Sequence, residues 1–157
     1  MATAADLATI NDIYNYYVLN STCTFQTEPE TAEDRGRWLA AHDSLHPVIV
    51  AEIQSQVVAW ASLSRYHSRS AYRHTVEDSI YVRDDMRSHG IGTALLKDLV
   101  ERAKMLGHHS MIATISADQT GSIALHERFG FLKAGHVREA GRKFDRWLDI
   151  VLMQRML

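Results

Sequence analysis

A single cysteine, Cys23, occurs in 157 residues, so no internal disulfide can form and a reducing compartment suits the chain. No basic run is present and the formal net charge is −2, which points away from nucleic acid and membrane surfaces as partners. No apolar stretch is long enough to span a bilayer. The N-terminus, MATAADLATI, carries an acid and lacks the apolar run of a signal peptide, so the cytoplasm is the expected location. Repeats, linkers and low-complexity segments are also missing, and one domain over 1–157 is expected. Metal ligands do not assemble either. His42 and His46 are four residues apart and His108 and His109 adjoin, but no Cys/His/carboxylate set completes a site. Cys23 has no His/Asp constellation to make it a nucleophile. What remains is 46% hydrophobic and 23% charged, the balance of a globular protein with a proper core.

The stretch with the most chemistry runs from Val82 to Leu106. The end of an apolar strand, Ser79-Ile80-Tyr81-Val82, crosses a polar turn into Arg87-Ser88-His89-Gly90-Ile91-Gly92-Thr93. An amphipathic helix follows, with Leu95, Leu96, Leu99, Val100, Ala103 and Leu106 on one face and Lys97, Asp98, Glu101, Arg102 and Lys104 on the other. Glycines at a helix entrance let an anion reach unpaired backbone N–H groups without meeting a Cβ, and the helix dipole and Arg87 add positive character. A phosphate site is the natural reading. Two common phosphate loops are excluded by what they lack here. Leu95 stands where the dinucleotide fingerprint wants its third glycine, and Thr93-Ala94 follows Gly92 where a P-loop wants Lys-Ser/Thr.

Periodicity fills in the rest. A helix is expected from Thr3 to about Leu19, with Thr3 and Asp6 as a capping box, and a second from Thr31 that buries Trp38 and Leu39. Val48–Ala51 and Val57–Leu63 read as strands joined by a turn at Gln54-Ser55-Gln56, and Thr75–Val82 as a third strand. Met111–Ser116 is a buried strand and Ser122–Phe129 a short helix closed by Gly130. Lys133–Val137 and Phe144–Met153 are the last two strands, joined at Gly141. Strands mixed with helices in this order favour one mixed α/β sheet.

Arg87-x-x-Gly90-x-Gly92 on a strand–loop–helix resembles the pyrophosphate loop of the GNAT acetyltransferases, and Asp118 to Phe131 looks like that family's second signature. Ala71-Tyr72-Arg73-His74-Thr75-Val76-Glu77, Leu125-His126-Glu127, Lys143 to Asp149, Thr24-Phe25 and Thr27 to Thr31 are similar to the phosphinothricin and methionine-sulfone/sulfoximine N-acetyltransferases. The likeness covers nearly the whole chain. It implies an α+β fold with a mixed, mostly antiparallel central sheet flanked by helices, acetyl-CoA as co-substrate, no metal, a small amino-acid acceptor and a homodimer. Three departures stand out. The chain starts almost at the first helix, where relatives have a strand; Gln119 replaces a common asparagine beside the CoA arm; and His126 occupies the place of a thiolate-protonating tyrosine, as it does in the subfamily.

The resemblance implies roles residue by residue. Tyr81, Val82, Arg87, Ser88, His89, Gly90, Ile91, Gly92, Thr93, Gln119 and Ser122 would hold acetyl-CoA, with a backbone N–H near Val82 meeting the oxyanion where the central strand splays. Free amines have pKa values of about 8 or more, so a base is needed. A strand glutamate read alone is a solvated residue, yet the motif makes Glu77 the base, with His126 as second proton-transfer group. Apart from the resemblance, an acceptor carboxylate wants a guanidinium, and Arg73, four residues before Glu77, comes first with Arg69 second. Phe25 and Tyr72 would wall the side-chain pocket. Two other readings stay open: acetylation of a protein N-terminus or polyamine, and a non-catalytic acyl-CoA sensor. Retention of Glu77 and His126 argues against the sensor.

Overall fold

The computed structural model describes residues 1–157. Its organising element is β3 (Thr75–Val82), whose alternation divides the molecule. Val76, Ile80 and Val82 pack into the larger core beneath helix α3 (Ile91–Met105), while Tyr81 packs with Ile10, Ile13, Tyr17 and Trp60 under helix α1 (Leu7–Asn20). The apolar stripe of α3 (Leu95, Leu96, Leu99, Val100, Ala103) is buried as its spacing requires, and left-handed Gly107 follows its end.

Six strands form one sheet in the order β1-β2-β3-β4-β6-β5, with β1 at Val48–Ile53, β2 at Gln56–Arg65, β4 at Ser110–Ser116, β5 at Leu132–Lys143 and β6 at Arg146–Met156. Every neighbouring pair is antiparallel except β3 and β4, which run parallel and pair only from Thr75–Glu77 to Ser110–Ile112. Beyond Glu77 the two strands part. The split lies at the centre of the sheet, with helix α4 (Thr120–Arg128) beside it. On the outer edge Ala2 N donates to Val48 O, a single backbone bond along β1.

Thr3 and Asp6 form the expected capping box, but the first turn is 3-10 (Ala4–Asp6) before α1 begins. Two expectations need correction. Helix α2 (Ala32–Ala40), capped by Thr31, buries Arg35 and leaves Trp38 and Leu39 only half-buried. The guanidinium lies 4.3 Å from the Tyr14 ring centroid and 4.6 Å from that of Trp38, and meets Glu30 at 2.7 Å. That contact is off the hydrogen-bonding angle, so the aromatic faces matter as much as the carboxylate. The final hairpin turns at Phe144-Asp145, both left-handed, and not at Gly141. Gly141 lies within β5 because the Phe25 ring sits on it: a Cβ there would come within 2.5 Å of Phe25 Cδ2.

Candidate active site

The split opens into a cleft of about 530 Å³ between the end of β3, the start of α3 and the start of α4. Its lining brings together Tyr81, Val82, Arg87, Ser88, Gly90, Ile91, Gly92, Thr93, Gln119, Ser122 and His126 from the expected set. The backbone explains the anion-binding character. Ser88 and Gly90 are left-handed (φ 65 and 80°), which turns the chain so that the amides from Ser88 to Thr93 donate to no protein acceptor. Successive free N–H groups at a helix N-terminus form a nest for an anion. Arg87 is held over the loop by Asp84 at 3.1 Å, a pairing that raises its pKa, and His89 is fixed through Nδ1 to the Arg87 carbonyl at 2.7 Å. A Cβ on Gly92 would meet Leu125 and Val82 at ordinary contact distances, whereas Gly90 is needed for its conformation.

The exposed edge of β3 is a second donor row. Arg83 N bonds Val58 O on β2, and alternation then directs the N–H and C=O groups of Val82 and Ile80 into the split. Tyr17 donates its phenol proton to Val82 O, and burial pushes that phenol up to about 12. The Val82 N–H faces the split, where the resemblance wants an oxyanion donor. Gln119 is tethered by Nε2 to Thr22 Oγ1 at 2.8 Å, and Thr22 in turn donates to Asp118. The longer stem thus anchors the amide to the loop after α1.

A narrow channel of about 90 Å³ adjoins the cleft at the split and is lined by residues from both faces of the sheet. Asp78 and His126 line it from the α3 side, and Ser79 and Thr114 from the other. Glu77, half-buried, lies on that second face at the last paired rung of β3 and β4. Burial raises its pKa, the Thr114 hydroxyl draws it down, Asp78 pushes it up, and His67 lowers it. Glu77 and His126 therefore sit on opposite faces of the sheet, and Glu77 lies beyond the residues that line the channel.

The expected acceptor residues lie apart from the cleft lining. Arg69 precedes a 3-10 turn (Ser70–Tyr72) that sets Tyr72 edge-on to His67, 5.0 Å between centroids. Arg73 is exposed, and its Nε donates to His74 Nε2 at 3.0 Å. Phe25 packs on β5, and its neighbour Thr24 bonds Tyr14, which meets Tyr81 edge-on. Sequence reasoning missed Asp78, Thr114, His67, Thr22 and Tyr17. Asp78 left a signal: a carboxylate at an apolar-face position between Val76 and Ile80 needs a partner. Cys23 lines both cavities, its thiol pushed up by burial. No group of three or more His, Cys, Asp or Glu side chains converges as a metal site would require, and no helix is long and apolar enough to cross a membrane.

A family model described as an acetyltransferase (GNAT) domain matches residues 1–152. The L-methionine sulfoximine/L-methionine sulfone acetyltransferase of Pseudomonas paraeruginosa is 40% identical over 155 residues, 98% of this chain and 90% of its own. Among solved structures, a phosphinothricin acetyltransferase from Sinorhizobium meliloti in complex with AcCoA superposes with TM-score 0.96 at 40% identity, covering 99% of this chain and 85% of its own. A ribosomal-protein-alanine N-acetyltransferase from Brucella melitensis does so with TM-score 0.96 at 39% identity, covering 99% and 97%.

Proposed function

Since the chain belongs to the GNAT acetyltransferases and uses acetyl-CoA as co-substrate, we propose that it acetylates the amino group of a small amino-acid analogue of the phosphinothricin or methionine sulfoximine/sulfone type. The observation that carries this reading is the channel through the split sheet. Residues from both faces of β3 and β4 line it beside the cleft that holds the nest of free amides, and Glu77 lies next to Asp78 on the far face, so donor and acceptor can approach from opposite sides.

Direct transfer divides among the chain's own groups. The amides from Ser88 to Thr93 and Arg87 would hold the pyrophosphate, and the open edge of β3 the pantetheine arm. Glu77 takes a proton from the acceptor ammonium, directly or through water. The freed nitrogen lone pair forms the N–C bond as the C–S bond breaks. Its electron pair leaves on sulfur, which is then protonated from within the site. The Val82 N–H stands ready for the carbonyl oxygen's developing charge. His126 borders the same channel.

For the acceptor carboxylate both arginines stay available: Arg73 spends only its Nε–H on His74, and no side chain pairs with the Arg69 guanidinium. Arg69→Ala should raise the Michaelis constant for an amino-acid acceptor by roughly 10- to 100-fold, the cost of about 1.5–3 kcal/mol for a charge-assisted pair. The constant for acetyl-CoA should not move. Equal acetylation of an amino acid and its decarboxylated amine by the parent protein would remove carboxylate recognition and the substrate class with it. Preference for a protein N-terminus in the same comparison would favour the activity named for the Brucella relative. We further expect a homodimer, supported by exposed Phe144 and Trp147 at the β5–β6 hairpin.

A further inference from the structure

A carboxylate and an imidazole meet in the channel wall with 2% and 5% of their side chains exposed. Asp78 occupies a position of β3 whose same-face neighbours are apolar, and His126 comes from α4 with its ring edge-on to Phe131, 5.0 Å away. His126 Nδ1 lies 2.7 Å from the Ser122 carbonyl oxygen, and Nε2 lies 3.0 Å from Asp78 Oδ2. A carbonyl oxygen and an ionised carboxylate can only accept. Both ring nitrogens therefore face acceptors, while a neutral imidazole carries a single N–H. Opposite an ionised Asp78, only the imidazolium fills both places.

We propose that Asp78 is a positioning residue for acetyl transfer: it holds His126 as a fixed, doubly protonated cation in the channel wall, so that His126 acts through its charge and not by giving up a proton. The catalytic half of this inference rests on the N-acetyltransferase reading; the charge state does not. Surrounding groups agree. Burial works against the charge on His126, but the Asp78 bond, its negative charge and the Ser122 carbonyl together leave the ring above the ordinary histidine pKa. Beside the pair are Tyr81 from β3, Cys23 from the loop after α1 and Gln119 at the start of α4, while Glu77 adds a carboxylate from the opposite face of β3. None of these is a cation that would compete for Asp78. Surrendering the Nε2 proton would break the bond to a carboxylate whose other oxygen, Oδ1, is already buried without a partner. That is a costly state. The leaving sulfur then draws its proton from water in the cleft, and the imidazolium stabilises the charge as it develops.

Histidine ring nitrogens report this without turnover. With 15N-labelled histidine, the apo protein should show one ring whose two nitrogens both stay protonated above the normal histidine range, and His126→Gln should delete that signal. In Asp78→Asn the ring should lose a proton below that range, because burial is then opposed only by the Ser122 carbonyl. The same variant should lose about 100-fold in kcat with the acetyl-CoA Michaelis constant unchanged, and gain an ionisation in its pH–rate profile where His126 now titrates. A His126 ring with one bare nitrogen in the parent at neutral pH would overturn the proposal, as would Asp78→Asn with the parent's kcat and profile. The parent spectrum decides the charge even if Asp78→Asn does not fold. If no amine is acetylated, the spectrum still stands and the acetyltransferase reading falls separately.

Discussion

Glu77→Gln should lower kcat by about 100-fold or more at neutral pH while leaving acetyl-CoA binding intact. Glutamine keeps the shape of the residue at the last rung of β3 and removes only its proton acceptor. The sign of the pH dependence follows from the direction of the shift. Burial raises the Glu77 pKa, so the carboxyl keeps its proton to a higher pH than an exposed glutamate and becomes a base only above it. The parent's kcat should therefore rise with pH through a limb displaced upward from the ordinary carboxylate range. In the glutamine variant that limb should vanish, and activity should climb only as the amine itself loses a proton, giving partial rescue at high pH. His126→Ala should lose turnover without such rescue, since raising the pH does not restore a missing fixed charge. A Glu77→Gln protein with the parent's kcat and profile would remove Glu77 from the chemistry.

The second large effect concerns the nest. Gly90→Val should raise the Michaelis constant for acetyl-CoA by roughly 100-fold, far more than that for the amine. Gly90 is left-handed at φ 80° with open space around it, so the damage comes from backbone conformation and not from a clash. A β-branched residue resists that conformation, and the amides after it would turn away from the pyrophosphate. Gly92→Ala is the matched control, because its Cβ would make only ordinary contacts. Isothermal titration with coenzyme A separates the two, and equal affinity for Gly90→Val and parent would sink the phosphate assignment.

These effects were legible in the sequence to different degrees. The limits of β3 and of the helix after the glycines could be read from alternation and helical spacing, and the short helix, whose one buried residue is His126, from the Gly130 that closes it. Arg35 could not be. Its burial depends on Tyr14, Trp38 and Trp60 arriving from three separate elements, and residue type alone argues for exposure. Gly141 misled because glycine is a turn former, yet here it answers to the close approach of Phe25, a contact more than a hundred residues away along the chain. The split between β3 and β4 leaves no mark on either strand's pattern, because both continue their alternation after the pairing stops. For the same reason the Asp78–His126 pair was visible only as two polar residues at positions that should be apolar.

The measurement that tests the central claim most directly is a single-turnover assay with enzyme in excess over acetyl-CoA. Free thiol is followed optically, and the acetylated product by mass, across methionine sulfoximine, methionine sulfone, phosphinothricin, a polyamine and an N-terminal peptide. The account predicts stoichiometric thiol release only with the amino-acid analogues, each matched by an equal amount of N-acetylated product. Thiol release that is indifferent to the amine, or acetyl-CoA bound tightly and never consumed, would contradict it.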